Sequence, residues 1–204
     1  MLENIKWLGH ASFKIIGEKI IYIDPWKLKK RDKADIILIT HYHYDHFSPA
    51  DISKIQTDQT VIVLPEGDEG KLKGNIKKIK SGDSLNINGV IIEAVPAYNI
   101  NKSYHPKEKG WVGYIIKMRE VSIYHAGDTD FIPEMKKIKV DIALLPIGGT
   151  YTMDAEEAAK ACAAFNPEIA IPMHYGDIVG SGEDAKKFKE MSPVKVEILK
   201  KEEQ

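Results

Sequence analysis

Along the first part of the chain, short apolar runs alternate with turn residues in the pattern of half-buried and buried strands. Strands are predicted over 4–8, 12–16 and 19–23, separated by Gly9-His10 and by Gly17-Glu18, which reads as a meander closed by Asp24-Pro25-Trp26. A buried fourth strand over 36–40 leads into Thr40-His41-Tyr42-His43-Tyr44-Asp45-His46-Phe47. Ser48-Pro49-Ala50-Asp51 supplies an N-cap, a proline at the first helical position and an acid in the first turn, so a helix begins there. Further strands are expected over 60–64, 76–80, 84–87 and 90–95, with a short helical or loop segment over 66–73 and turns at Gly82-Asp83 and Asn88-Gly89. Residues 96–110 form a long polar loop, a candidate wall or lid, before strands over 111–118 and 121–124.

The pattern then changes to alternating helix and strand. Helices are expected near 132–137, over 154–165 and near 183–190, and strands over 141–145, 168–172 and 194–199. Asp154-Ala155-Glu156-Glu157 resembles a capping box, and Ala158, Ala161, Cys162 and Phe165 make one apolar helical stripe. Cys162 is thereby read as a small core residue and not a nucleophile. Strands with interleaved helices define an α/β chain, and 204 residues suit a single domain spanning 1–204.

Composition narrows the setting. A lone cysteine excludes an intrachain disulfide and fits a reducing compartment. The N-terminal residues lack a basic segment followed by a long apolar one, and no later run reaches membrane-spanning length, so a soluble cytoplasmic protein with no membrane partner is expected. The formal net charge of -1 is spread along the chain, which argues against a general nucleic-acid binder; the Lys-rich runs 27–31 and 77–80 read as solvated faces.

The chemistry is concentrated in His41, His43, Asp45 and His46, an H-x-H-x-D-H pattern delivered by a strand end. On an extended chain His41, His43 and Asp45 share a face while His46 points away unless the backbone turns, so the pairs 41/43 and 45/46 can address two neighbouring metal positions. Three other strand ends present polar groups: Gly9-His10 after the first strand, His125-Ala126-Gly127-Asp128 after 121–124, and His174 after 168–172.

This ordered set resembles the metallo-β-lactamase superfamily, over essentially the whole chain. Trp7-Leu8-Gly9-His10-Ala11-Ser12, Tyr124-His125-Ala126-Gly127-Asp128-Thr129, Leu145-Pro146-Ile147-Gly148-Gly149-Thr150-Tyr151-Thr152-Met153 and Ile171-Pro172-Met173-His174-Tyr175-Gly176 look like its L-ascorbate-6-phosphate lactonase-like branch. The resemblance implies a four-layer αβ/βα sandwich, two mixed sheets face to face with helices on the outer faces. It also implies that His41 and His43 hold a first metal, that Asp45, His46 and His174 hold a second, and that Asp128 bridges them. The family's remaining first-site histidine follows a Pro-Ala-x pattern, but Pro96-Ala97-Tyr98 is followed here by Asn99, a poor zinc ligand. His10 and His105 are therefore candidates to complete the first site or to sit just outside it: His10, held on a strand end, is expected to be a ligand or one water away, and His105, on the long loop, to meet substrate or donate a proton.

The expected activity is hydrolysis of an ester, lactone or phosphodiester of a small molecule by a metal-bound hydroxide, with Asp45 helping to orient the nucleophile. One or two divalent ions are expected, zinc foremost, with Mn, Fe or Ni suiting the same donors. The alternatives are a nuclease or phosphodiesterase acting on nucleic acid and a non-catalytic metal-binding protein. The di-iron oxygen-reducing relatives typically carry a carboxylate at the position of His43, which points away from that class. The expected partner is a small-molecule substrate, and a homo-oligomer is compatible with the sequence.

Overall fold

A computed structural model gives the fold for all residues apart from 1, 30, 31, 68, 120, 203 and 204. The expected Lys-rich face over 27–31 therefore lies partly outside the described residues; within them, Lys27 and Lys29 are exposed. Strands β1 (Ile5–Gly9), β2 (Ser12–Ile16) and β3 (Ile20–Ile23) form an antiparallel meander. Strands β4 (Ile36–Leu38), β5 (Val61–Leu64) and β6 (Asn75–Lys78) then add to it in parallel.

The second sheet repeats that plan. β7 (Ser84–Ile87), β8 (Val90–Pro96), β9 (Val112–Met118) and β10 (Val121–His125) are antiparallel neighbours. β11 (Ile142–Pro146), β12 (Ile169–Met173) and β13 (Lys195–Val196) follow in parallel. In both sheets the spatial order is the sequence order.

Strand alternation explains the layers. Phe13, Ile15, Ile21, Ile23, Ile36 and Leu38 share one core with Ile92, Ala94, Tyr114 and Ile116 of the other sheet. Their neighbours Tyr22, Ile37, Ile39, Ile62 and Leu64 point the other way and pack on Ile52 and Ile55 of α1 (Pro49–Ile55). Helices α2 (Ala155–Phe165) and α3 (Gly182–Met191) each start with a capping box and bury Ala158, Cys162, Phe165, Ala185 and Phe188. The result is the expected αβ/βα sandwich.

Differences from the sequence reading are local. The fourth strand stops at Leu38 because Asp24 takes the Thr40 amide at 2.8 Å and Val112 N–H donates to the Thr40 carbonyl at 3.1 Å, drawing the chain end across to the second sheet. The segment near 132–137 is a 3-10 turn, Pro133–Lys137, with Pro133 near its start. The last strand shrinks to Lys195–Val196, since β13 pairs only with the start of β12. The expected metal residues follow β4, β10 and β12, and His10 lies in the β1–β2 turn, all at one edge of the sandwich. That edge holds the carboxyl ends of parallel strands, where ligands of open α/β sheets usually bind.

Candidate metal centre

The turn after β4 is built by two backbone bonds to the His43 carbonyl, from His46 N–H at 3.0 Å and Phe47 N–H at 2.8 Å. It splits the motif into two pairs. His41 and His43 gather with His105, whereas Asp45 and His46 gather with His10 and His174; each group could hold a metal ion. Asp128 stands between them, with its oxygens 3.2 Å from His105 Nε2, 3.0 Å from His174 Nε2, 3.3 Å from His46 Nε2 and 3.9 Å from His41 Nε2. His10, His41, His46, His105 and His174 are buried, as are Asp45 and Asp128.

His105, and not His10, lies beside His41 and His43, where the expectation drawn from Asn99 had put His10, while His10 belongs to the other donor group. His10 lies with Asp45, not with His41 and His43: its Nε2 is 2.9 Å from Asp45 Oδ2, and its carbonyl accepts from His174 N–H at 2.9 Å and from Trp7 Nε1–H at 2.8 Å. These bonds stitch the β1 end to the β12 end and leave His10 on that side. His105 occupies the position beside His41 and His43 because the loop folds back on Asn99. Asn99 N–H donates to the His105 carbonyl at 2.7 Å, and Asn99 Oδ1 accepts from both His105 N–H and His105 Nδ1–H, each at 3.0 Å. Asn99 thus orients a ring that turns its Nε2 to the centre. Its own amide is fixed in turn by Asp130 at 3.0 Å and the Tyr151 carbonyl at 2.9 Å.

Asp24 is the residue that the sequence reading did not single out for the site. Its Oδ2 accepts from Thr40 Oγ1–H at 2.6 Å and from His46 Nδ1–H at 2.7 Å. With its proton committed to Asp24, the Thr40 hydroxyl accepts from His41 Nδ1–H at 2.9 Å. One buried carboxylate therefore fixes the ring orientation of a histidine in each group through its Nδ1, leaving both Nε2 atoms facing inward. The only sequence signal was an Asp-Pro step after an apolar strand. Asp24, His10 and His174 all adopt left-handed backbone, with φ of 45°, 51° and 58°. Such positions cost about 1–3 kcal/mol each and persist where surrounding contacts enforce them. Gly148 has no side chain because a Cβ there would lie 2.4 Å from the His174 carbonyl oxygen.

The electrostatics favour a cation. Burial pushes the His41 pKa well below the ordinary value and lowers that of His43, so both rings are neutral donors of a lone pair. Burial likewise lowers His10, against the opposing hydrogen bond with Asp45. Burial alone would raise Asp45, yet His10 and His46 outweigh it and hold the carboxyl at about 2. Asp128 is held well below the carboxylate range despite its burial, by the His174 and His46 charges. His46 moves the other way: burial opposes its charge, but Asp128 and Asp24 raise its pKa well above the ordinary value. His125 is apart from all this, its Nε2 bonded to the Ala11 carbonyl at 2.9 Å, and serves as a clamp between the sheets.

Nε2 of His41, His46, His105 and His174 and Oδ1 of Asp128 are buried with no hydrogen-bond partner. Buried polar atoms normally find partners, and this many orphans converging on one point fit divalent cations better than any protein group. The family match agrees: the beta-lactamase superfamily domain is recognised over residues 4–174. The chain belongs to the metallo-β-lactamase superfamily. Within that superfamily it is 38% identical to a UPF0173 metal-dependent hydrolase from Staphylothermus marinus, covering 96% of this chain and 95% of that protein. It is 39% identical to another from Thermoplasma volcanium, over 93% of this chain and 91% of the relative. The metallo hydrolase Igni18 from Ignicoccus hospitalis superposes with a TM-score of 0.80 at 28% identity, covering 98% of this chain and 95% of that one.

Proposed function

We propose that the protein is a metal-dependent hydrolase that cleaves an ester, lactone or phosphodiester bond of a small molecule at two adjacent divalent cations. The observation that carries this reading is the pair of donor groups on either side of Asp128, His41/His43/His105 and His10/Asp45/His46/His174, in which Nε2 of His41, His46, His105 and His174 is buried without a partner. The names of the relatives, metal-dependent hydrolases, support it. His41, His43 and His105 would hold one ion; Asp45, His46 and His174 would hold the other; Asp128 would touch both. Zinc suits this His and Asp set, and Mn, Fe or Ni would also be accommodated. Bound ions would supply a water of pKa lowered from about 15.7 to about 7 and a Lewis acid for the substrate oxygen.

The chain's own residues do the rest. Asp45, ionised throughout the neutral range, is the acceptor best placed to orient an attacking water, and His10 donates to its Oδ2 and keeps it turned inward. His105 belongs to the ion-holding set in this reading and not to the substrate. The long loop excludes water by packing His105 and Asn99 at 1% and 7% exposure.

The test is metal content of the purified protein together with turnover of lactones, carboxylic esters and phosphodiesters. Two ions per chain and hydrolysis of one class are expected, with Asp128→Ala losing both metal and turnover. Full metal loading with no hydrolysis of any class would refute the enzymatic reading.

A further inference from the structure

The cavity over the centre has walls of a distinct chemistry. It measures about 240 Å³ and opens between Tyr44, Tyr104, Tyr151 and Ile178, above the metal-type residues. Pockets for drug-sized ligands run to about 300–1,000 Å³, so this one suits a compact molecule. Tyr44, Tyr104 and Ile178 are 70%, 48% and 36% exposed, an unusual grouping of large apolar side chains around one mouth. Tyr104 and Tyr151 stand edge to face at 4.6 Å, and Tyr44 leans on Trp26 at 6.2 Å, itself 5.3 Å from His10. Each of these tyrosines is therefore braced by an aromatic neighbour.

No lysine or arginine is found among the described residues lining the cavity. Lys102 and Lys27, which flank cavity residues in sequence or packing, are committed elsewhere. Lys102 pairs with Asp130 at 2.5 Å and Glu157 at 3.8 Å, and Lys27 lies over the Trp26 ring at 3.8 Å with Asp177 at 3.9 Å. Proteins that select phosphate or a second carboxylate do so with such cations or with clustered backbone amides.

We infer that the substrate carries, beside the bond to be cleaved, a compact apolar or aromatic portion seated among Tyr44, Tyr104, Tyr151 and Ile178, and no phosphate or second acid. This deepens the hydrolase reading and rests on it for the reacting bond. It is tested without turnover by calorimetry on the metal-loaded protein, using hydroxamates that share one metal-binding head: acetohydroxamate, phenylacetohydroxamate and phosphonoacetohydroxamate. The phenyl tail should tighten binding about tenfold over the methyl, as burial of part of a ring provides. The phosphono tail should give no gain. Tyr104→Ala and Tyr151→Ala should each lose most of the phenyl advantage while metal content stays the same.

A phosphono tail that binds best overturns the inference. So does a phenyl tail with no advantage, including no measurable binding of any of the three, or an advantage that survives both substitutions. A protein with the phenyl preference that hydrolyses nothing refutes the hydrolase reading alone. Equal hydrolysis of phenyl- and phosphate-bearing lactones would refute the substrate inference and leave the hydrolase reading intact.

Discussion

Two side chains that never approach substrate hold the donor rings in place, and they differ in reach. Of the donor rings Asn99 bonds to His105, whereas Asp24 reaches His46 directly and His41 through Thr40. Outer partners of this kind are worth about 10–100-fold in metal affinity. Asn99→Ala is therefore expected to weaken one of two bound cobalt ions by about tenfold, and Asp24→Asn to weaken both. Chelator competition followed by the cobalt absorption bands separates the outcomes; equal weakening of both ions by Asn99→Ala would contradict the division of donors proposed here.

At the level of elements, α1 is the brace of the ligand turn. Ser48 caps it, and Asp51 in its first turn accepts from Lys27 N–H at 2.9 Å, Leu28 N–H at 3.1 Å, Ser48 Oγ–H at 2.8 Å and Lys54 Nζ at 2.6 Å. Burial would raise the Asp51 pKa, but the hydrogen bonds from Lys54 and Ser48 bring it below the ordinary value. A carboxyl more acidic folded than unfolded stabilises fully above its unfolded pKa, about 3.9, and loses that contribution as pH falls through the lower folded value. Metal-free Asp51→Asn should therefore unfold at lower denaturant than the parent at pH 7, with the gap shrinking below about pH 4. A gap independent of pH would mean that the charge of Asp51 contributes nothing.

Across the whole molecule, the metal edge is where the two sheets are fastened. His125 bonds to Ala11, Tyr114 Oη–H to the Ile39 carbonyl at 2.7 Å, and His174 N–H to the His10 carbonyl. Ions held there would favour the folded state, by up to about 2.7 kcal/mol per site at a free concentration 100 times the dissociation constant. Cys162, on α2, reports on this from within the core. It is fully buried, and burial lifts its thiol pKa to about 11. Its modification by a thiol reagent at pH 8 should follow global unfolding and slow on metal addition; labelling of the folded protein at the rate of a free thiol would place Cys162 in a locally opening region.

Local pattern sufficed for much of this. Strand alternation, the Ser48 cap and the capping box at Asp154 depend on near neighbours, so the elements were legible. The inventory of metal-type residues at strand ends was legible too, because ligand chemistry belongs to residue types. Which donor joins which group was not. His105 stands beside His41 and His43 and His10 beside Asp45 because backbone bonds from Asn99 and His174 position them, and those depend on where distant strand ends meet. The same holds for Asp24, whose partners lie 16 and 22 positions away, and for the cavity mouth, assembled from Tyr44, Tyr104, Tyr151 and Ile178. Residue type and local spacing determined what this chain could bind; closure of the two sheets against each other decided the arrangement that would bind it.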